Sequence, residues 1–160
     1  MIEVQKPNGS LNLAIKCIDA LKQVFSNNGD VMKGFRSRAR DVPSSLYYDG
    51  ILYTIAYVAS KASKNNKSGN ELLMQAFMES DVAALFREWN KKEYVEKEAY
   101  ELYGACLMRA LKELAELDNA KDLTDILKIL NDSGTRVIIE GKVLEFTEWL
   151  KRLTEAIVQG

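Results

Sequence analysis

Four cations stand within eight residues of this chain: Lys33, Arg36, Arg38 and Arg40. At 100° per residue, Lys33, Arg36 and Arg40 fall within about 60° of one another on a helix. Successive members of that set advance by about 4.5–6 Å along the helix axis, close to the spacing of phosphates on a nucleic-acid strand. Guanidinium groups grip phosphate oxygens in pairs, and such contacts hold a strand without reading its bases. Arg38 projects from the flank of the same helix's apolar stripe. Lys64 and Lys67 add charge in the polar segment that follows two helices later. A solvated outer face would show the same pattern, so the ridge alone leaves both readings open. The neighbouring Tyr47-Tyr48 pair suits a stacked base but suits core packing better.

Other chemistry is thinly represented. The chain has no histidine, which excludes Ser-His-Asp and Cys-His nucleophile systems, imidazole general bases and His-liganded metals. Two cysteines, Cys17 and Cys106, are too few for a zinc cluster or a disulfide framework. Each falls on an apolar helical face and is expected as a buried, unpaired hydrophobe, with a bridge between them the lesser reading. Asp118, Asp122 and Asp125 would hold a divalent cation if one helix carried all three. Asn119-Ala120 instead separates two helices, which places Asp122 and Asp125 at a helix N-terminus, where negative charge is stabilised. No enzyme, metal or cofactor is expected.

The formal net charge of −1 conceals a division. Residues 31–67 hold seven basic and two acidic side chains, whereas residues 68–160 hold twelve basic and eighteen acidic ones. A polyanion on one side and basic neighbours on the other would match this dipole. The length of 160 residues fits a single domain over 1–160. No basic-then-apolar leader opens the chain, and no apolar run approaches the roughly 18–20 residues that span a bilayer. A cytoplasmic protein with no membrane partner is therefore expected.

The elements that must position these groups are helical. Ser10 is expected to cap a helix reaching Phe25, and Asp30 one carrying Val31, Phe35, Ala39 and Val42. Pro43 should stop that helix, with the next running from about Ser44 to Ser63 and packed closely at Gly50. After the loop Lys64–Gly69, Asn70 and Ser80-Asp81 should cap helices through Phe77 and to about Trp89. The longest element is expected over Glu93–Leu117, followed by a helix from about Ala120 to Leu130. Arg136–Ile139 is the one β-like stretch, a short ribbon or linker near residues 135–140. A last helix is expected over about Lys142–Val158. Together these give an all-α, compact bundle of six to eight helices.

Two segments carry a resemblance. Arg36-Ser-Arg38-Ala-Arg40-Asp-Val-Pro43, Asp49-Gly50-Ile51-Leu52, Ile55-Ala56-Tyr57-Val58 and Ser60-Lys61-Ala62 resemble the small subunit of the type III-B CRISPR effector, the Cmr complex. Trp149-Leu150-Lys151-Arg152, preceded by Thr147-Glu148 and followed by Ala156, is similar to that family's C-terminal helix. The resemblance implies a non-catalytic, RNA-binding protein of antiviral defence, stacked head to tail with copies of itself into a minor filament. Its implied partners are the CRISPR RNA, the target RNA and the other effector subunits of the ribonucleoprotein. Lys33, Arg36, Arg38, Arg40, Lys61, Lys151 and Arg152 are then the implied RNA-backbone contacts; Lys64 and Lys67 join them on charge and loop placement alone. Small subunits of type III-A or type I complexes are the nearest alternative. A helical protein–protein interaction module without RNA is the alternative of another class, and a carboxylate-dependent hydrolase a remoter one.

Overall fold

A computed structural model of the protein describes residues 8–62, 66–115, 117, 119–132 and 134–159. Seven helices make up this part of the chain: α1 (Gly9–Phe25), α2 (Gly29–Lys61), α3 (Gly69–Met78), α4 (Val82–Lys91), α5 (Tyr100–Ala115), α6 (Leu123–Asp132) and α7 (Arg136–Ile157). The all-α expectation holds.

α5 forms the centre. Every residue from Glu101 to Leu111 is buried, the mark of a helix enclosed on all sides. α2, α3 and α7 pack around it, and α1 bridges α4 and α7. Two charges go in with it. Arg109 donates to the Phe77 carbonyl at 2.9 Å and to Glu113 at 3.0 Å. Glu101 accepts from the Glu96 amide. Both follow the rule that buried ions are partnered.

Several boundaries differ from expectation, each for a local reason. Asn8 and Asn28, rather than Ser10 and Asp30, accept the first amides of α1 and α2. Ser68 caps α3 in a reciprocal box with Glu71, while Asn70 instead accepts the Leu123 amide at 2.8 Å. Asp81 caps α4 as expected, at 3.0 Å from the Ala84 amide. α5 begins only at Tyr100, because Glu93 and Ala99 both adopt φ of 58°. The segment between them lies on Gly34, where an added Cβ would stand 1.8 Å from the Lys97 carbonyl oxygen. The β-like stretch is helical: Arg136–Ile139 is the first turn of α7, with Ile139 buried one turn before Val143.

The largest correction concerns α2. Pro43 does not end it; the break falls at Gly50, with φ 85° and ψ 167°, a region open in practice only to glycine. Across that residue the chain folds back on itself. Ser45 Oγ and Thr54 Oγ1 meet at 3.1 Å, although nine residues of straight helix would rise by about 13.5 Å. α2 is thus a hairpin of two arms, 29–49 and 51–61. Close packing, expected at Gly50, occurs instead at Gly34 and at Gly69, where a Cβ would lie 1.7 Å from the Ala59 carbonyl oxygen.

Cys17 and Cys106 are buried as expected, but they are joined by a disulfide, with Cα atoms 5.9 Å apart. The unpaired reading fails because α1 and α5 pack so that the two thiols face one another, a juxtaposition that neither helix's own pattern encodes.

Candidate nucleic-acid interface

The first arm of α2 buries Val31, Phe35, Ala39 and Val42, and this stripe turns Lys33 and Arg40 to solvent. Arg36 lies half-buried between them, its Nε enclosed and without a hydrogen-bond partner among the described residues. These three form the ridge anticipated from their spacing. Arg38 leans the other way. Its guanidinium carbon sits 4.5 Å from the Tyr100 ring centre, and Nη1 donates to the Glu98 carbonyl at 3.4 Å.

The hairpin adds groups that spacing along one helix could not. The second arm brings Tyr53, Tyr57 and Lys61, each four residues after the last and therefore on one face. Tyr53 and Tyr57 stack with centres 6.2 Å apart at 16°. Lys61 Nζ lies 5.7 Å from the Tyr57 ring, and Tyr57 meets Tyr100 edge-on at 6.2 Å. Burial and a hydrogen bond to Tyr57 push the Tyr100 phenol above its ordinary value, with the Arg38 guanidinium opposing.

The tyrosines depart most from expectation. Tyr47 and Tyr48, read as better suited to packing, are 72% and 81% exposed, and Tyr53 is 58% exposed. Tyr103 is the tyrosine enclosed in the core, its phenol pushed up by burial and, secondarily, by the Glu148 carboxylate. None of Tyr53, Tyr57 and Tyr100 is among the site residues expected from the sequence. The i, i+4, i+8 run of Tyr53, Tyr57 and Lys61 carried the usable signal.

Lys67 pairs with Glu71 at 3.4 Å and Arg152 with Glu155 at 3.2 Å. Lys151 and Arg152 lie on α7, which packs against α2. Lys64 lies outside the described residues. Arg40 pairs with Asp41 at 3.2 Å. Surface pairs of this kind are worth only about 0–1 kcal/mol, so each cation can exchange its carboxylate for a phosphate.

The carboxylates act structurally. Asp122 accepts the Asp125 amide at 2.9 Å and the Thr124 hydroxyl at 2.8 Å at the start of α6, which lowers its pKa. Asp118 lies outside the described residues. Among the described residues no group of three or more His, Cys, Asp or Glu could hold a metal ion, and no helix is long and apolar enough to cross a membrane.

The class defined here is an all-helical bundle that carries a cationic ridge and a tyrosine-bearing hairpin on one element, α2. Residues 8–157 match the family of the CRISPR-associated protein Cas_Cmr5, and the chain belongs to that family, the small subunits of type III-B CRISPR complexes. No curated protein and no solved structure matches the chain.

Proposed function

We propose that the protein is a non-catalytic RNA-groove subunit of its CRISPR effector, acting in antiviral defence. Its α2 ridge lies along the backbone of the guide or target RNA. One observation carries the reading: Lys33 and Arg36 have no anionic partner among the described residues, and they share one helix face with Arg40, whose single pair is exposed. Like charges three and four apart repel by about 0.2–0.5 kcal/mol per pair, and a polyanion laid along them relieves that repulsion and releases its counterions. Membership of the family supports a place in a CRISPR effector, and RNA is the polyanion that this reading lays on the ridge.

Stacking of copies into a minor filament is part of the same reading. Residues 68–160 carry six more acidic than basic side chains, which suits contacts with basic neighbours away from the RNA. In this reading Lys151, Arg152 and Lys67 serve contacts along such a filament or with flanking phosphates. The non-catalytic reading is supported by the use of two candidate carboxylates: Asp122 accepts the Asp125 amide and Asp125 the Lys121 amide, at and just before the start of α6.

The test is a triple reversal, Lys33→Glu, Arg36→Glu and Arg40→Glu. RNA affinity at matched salt should fall steeply. The slope of log affinity against log salt should flatten by about 2, since each phosphate contact with a single strand contributes about 0.7. Unchanged affinity and unchanged assembly with the other effector subunits would overturn the reading.

A further inference from the structure

The two arms of α2 and the start of α5 enclose a cleft of about 110 Å³. Its lining is unlike that of a phosphate site. Val42 and Val58 form the apolar base; Arg38, Tyr57 and Tyr100 supply planar groups; and Asp41, Ser45 and Thr54 supply acceptors and hydroxyls. At ~30 Å³ per water molecule the space equals three or four waters, room for one flat ring system and too little for a whole nucleotide. Outside it stand Tyr53, stacked on Tyr57, and the cations Arg40 and Lys61.

We propose that this cleft receives a single nucleobase turned out from a bound RNA strand. The inference depends on the RNA-groove reading above and adds a base-binding site to it. Three features point to a base. Rings and a guanidinium plane stack on any base, because every base presents a π face. A tyrosine 58% exposed on a surface helix is an open platform. The Asp41 carboxylate and the Ser45–Thr54 hydroxyl pair, 3.1 Å apart, can meet the polar edge of a base once it enters. The base itself is uncharged, which an aromatic cleft accepts, while Arg40 and Lys61 at the rim keep the sugar-phosphate chain in water.

A pair of oligonucleotides separates this from backbone binding: a single-stranded RNA, and an otherwise identical strand of abasic residues with the same charge. Their affinities for the chain, followed by fluorescence anisotropy at low salt and high protein concentration, should differ by roughly tenfold in favour of the ordinary strand, within the range for one stacked base. Tyr57→Leu should remove that difference while leaving abasic-strand affinity unchanged, and Tyr57→Phe should keep it. Circular dichroism verifies that each variant remains helical. Equal binding of the two strands by the unaltered protein would overturn the base site and leave the ridge reading standing, with the cleft assigned to a side chain of a neighbouring subunit. Binding of neither strand would overturn both. Loss of abasic-strand affinity in Tyr57→Leu would also overturn it, since that result makes Tyr57 a support of the backbone contact and not a base platform.

Discussion

The Glu140 carboxylate of α7 accepts the amide of Ile51 at 3.2 Å, at the residue that follows the reversal in α2. One side chain from the last helix thus caps the second arm of a hairpin 89 residues earlier in the chain, and Arg136 steadies it at 3.7 Å. Without this cap the arm 51–61 would begin on an unsatisfied donor.

Glu140→Ala should therefore destabilise the protein by about 1–2 kcal/mol, as a lost helix cap does. Urea unfolding followed by circular dichroism measures this. Glu140→Gln, which keeps an acceptor oxygen, should recover most of the loss.

Three glycine substitutions should give three different answers. Gly50→Ala should cost about 1–3 kcal/mol from backbone strain alone, since its Cβ would meet only Glu140 Oε2 at 3.6 Å. Gly34→Ala should cost about 2–3 kcal/mol from overpacking against the Lys97 backbone. Gly141→Ala should instead stabilise by about 0.5–1 kcal/mol, being helical with open space around it. Thermal melts of the three variants rank them.

Reduction of the Cys17–Cys106 bond opens a loop closed across 89 residues of sequence. Loops of that length stabilise by roughly 2–5 kcal/mol. The urea midpoint should fall in reductant, and Cys17→Ala should show the lower midpoint with or without it. Mass spectrometry after alkylation should find no free thiol in the unreduced protein.

Acid should fray two helix starts ahead of the core. Glu71 is lowered from its ordinary 4.5 by hydrogen bonds at Ser68, together with Lys67; Asp122 is lowered from 3.8 by the Asp125 amide and Thr124. A depressed carboxylate stabilises fully above its unfolded value and loses that contribution as pH falls through the folded one. Protection factors at the Ser68 and Asp125 amides, which these carboxylates accept, should accordingly fall as the pH drops below those ordinary values, while the α5 amides stay protected.

The helical architecture was legible because apolar residues recur at helical spacing almost throughout. The ridge was legible for the same reason: Lys33, Arg36 and Arg40 are three and four apart on one rod. Misreadings cluster where tertiary contact outweighs local preference. Pro43 reads as a stop, yet its helix continues to Asp49 because the buried stripe through Leu46 holds it. Arg136–Ile139 is β-branched, yet Ile139 lies one turn before Val143 and joins the core. Residues 93–99 read as helix, yet they fold onto Gly34, whose missing side chain matters only once that segment arrives. The tyrosine cleft needs Arg38, Tyr57 and Tyr100 from three stretches of chain, so no single window of sequence contains it.

The reversal at Gly50 uses one residue, which leaves the hairpin no slack. An insertion of one amino acid in either arm would turn everything beyond it by about 100° and shift it by 1.5 Å. Arg38 and Tyr57 would then point away from one another. Substitutions can tune this face freely, but changes of length within 38–57 would dismantle it, so the two arms behave as a vernier whose graduations are fixed at a single notch.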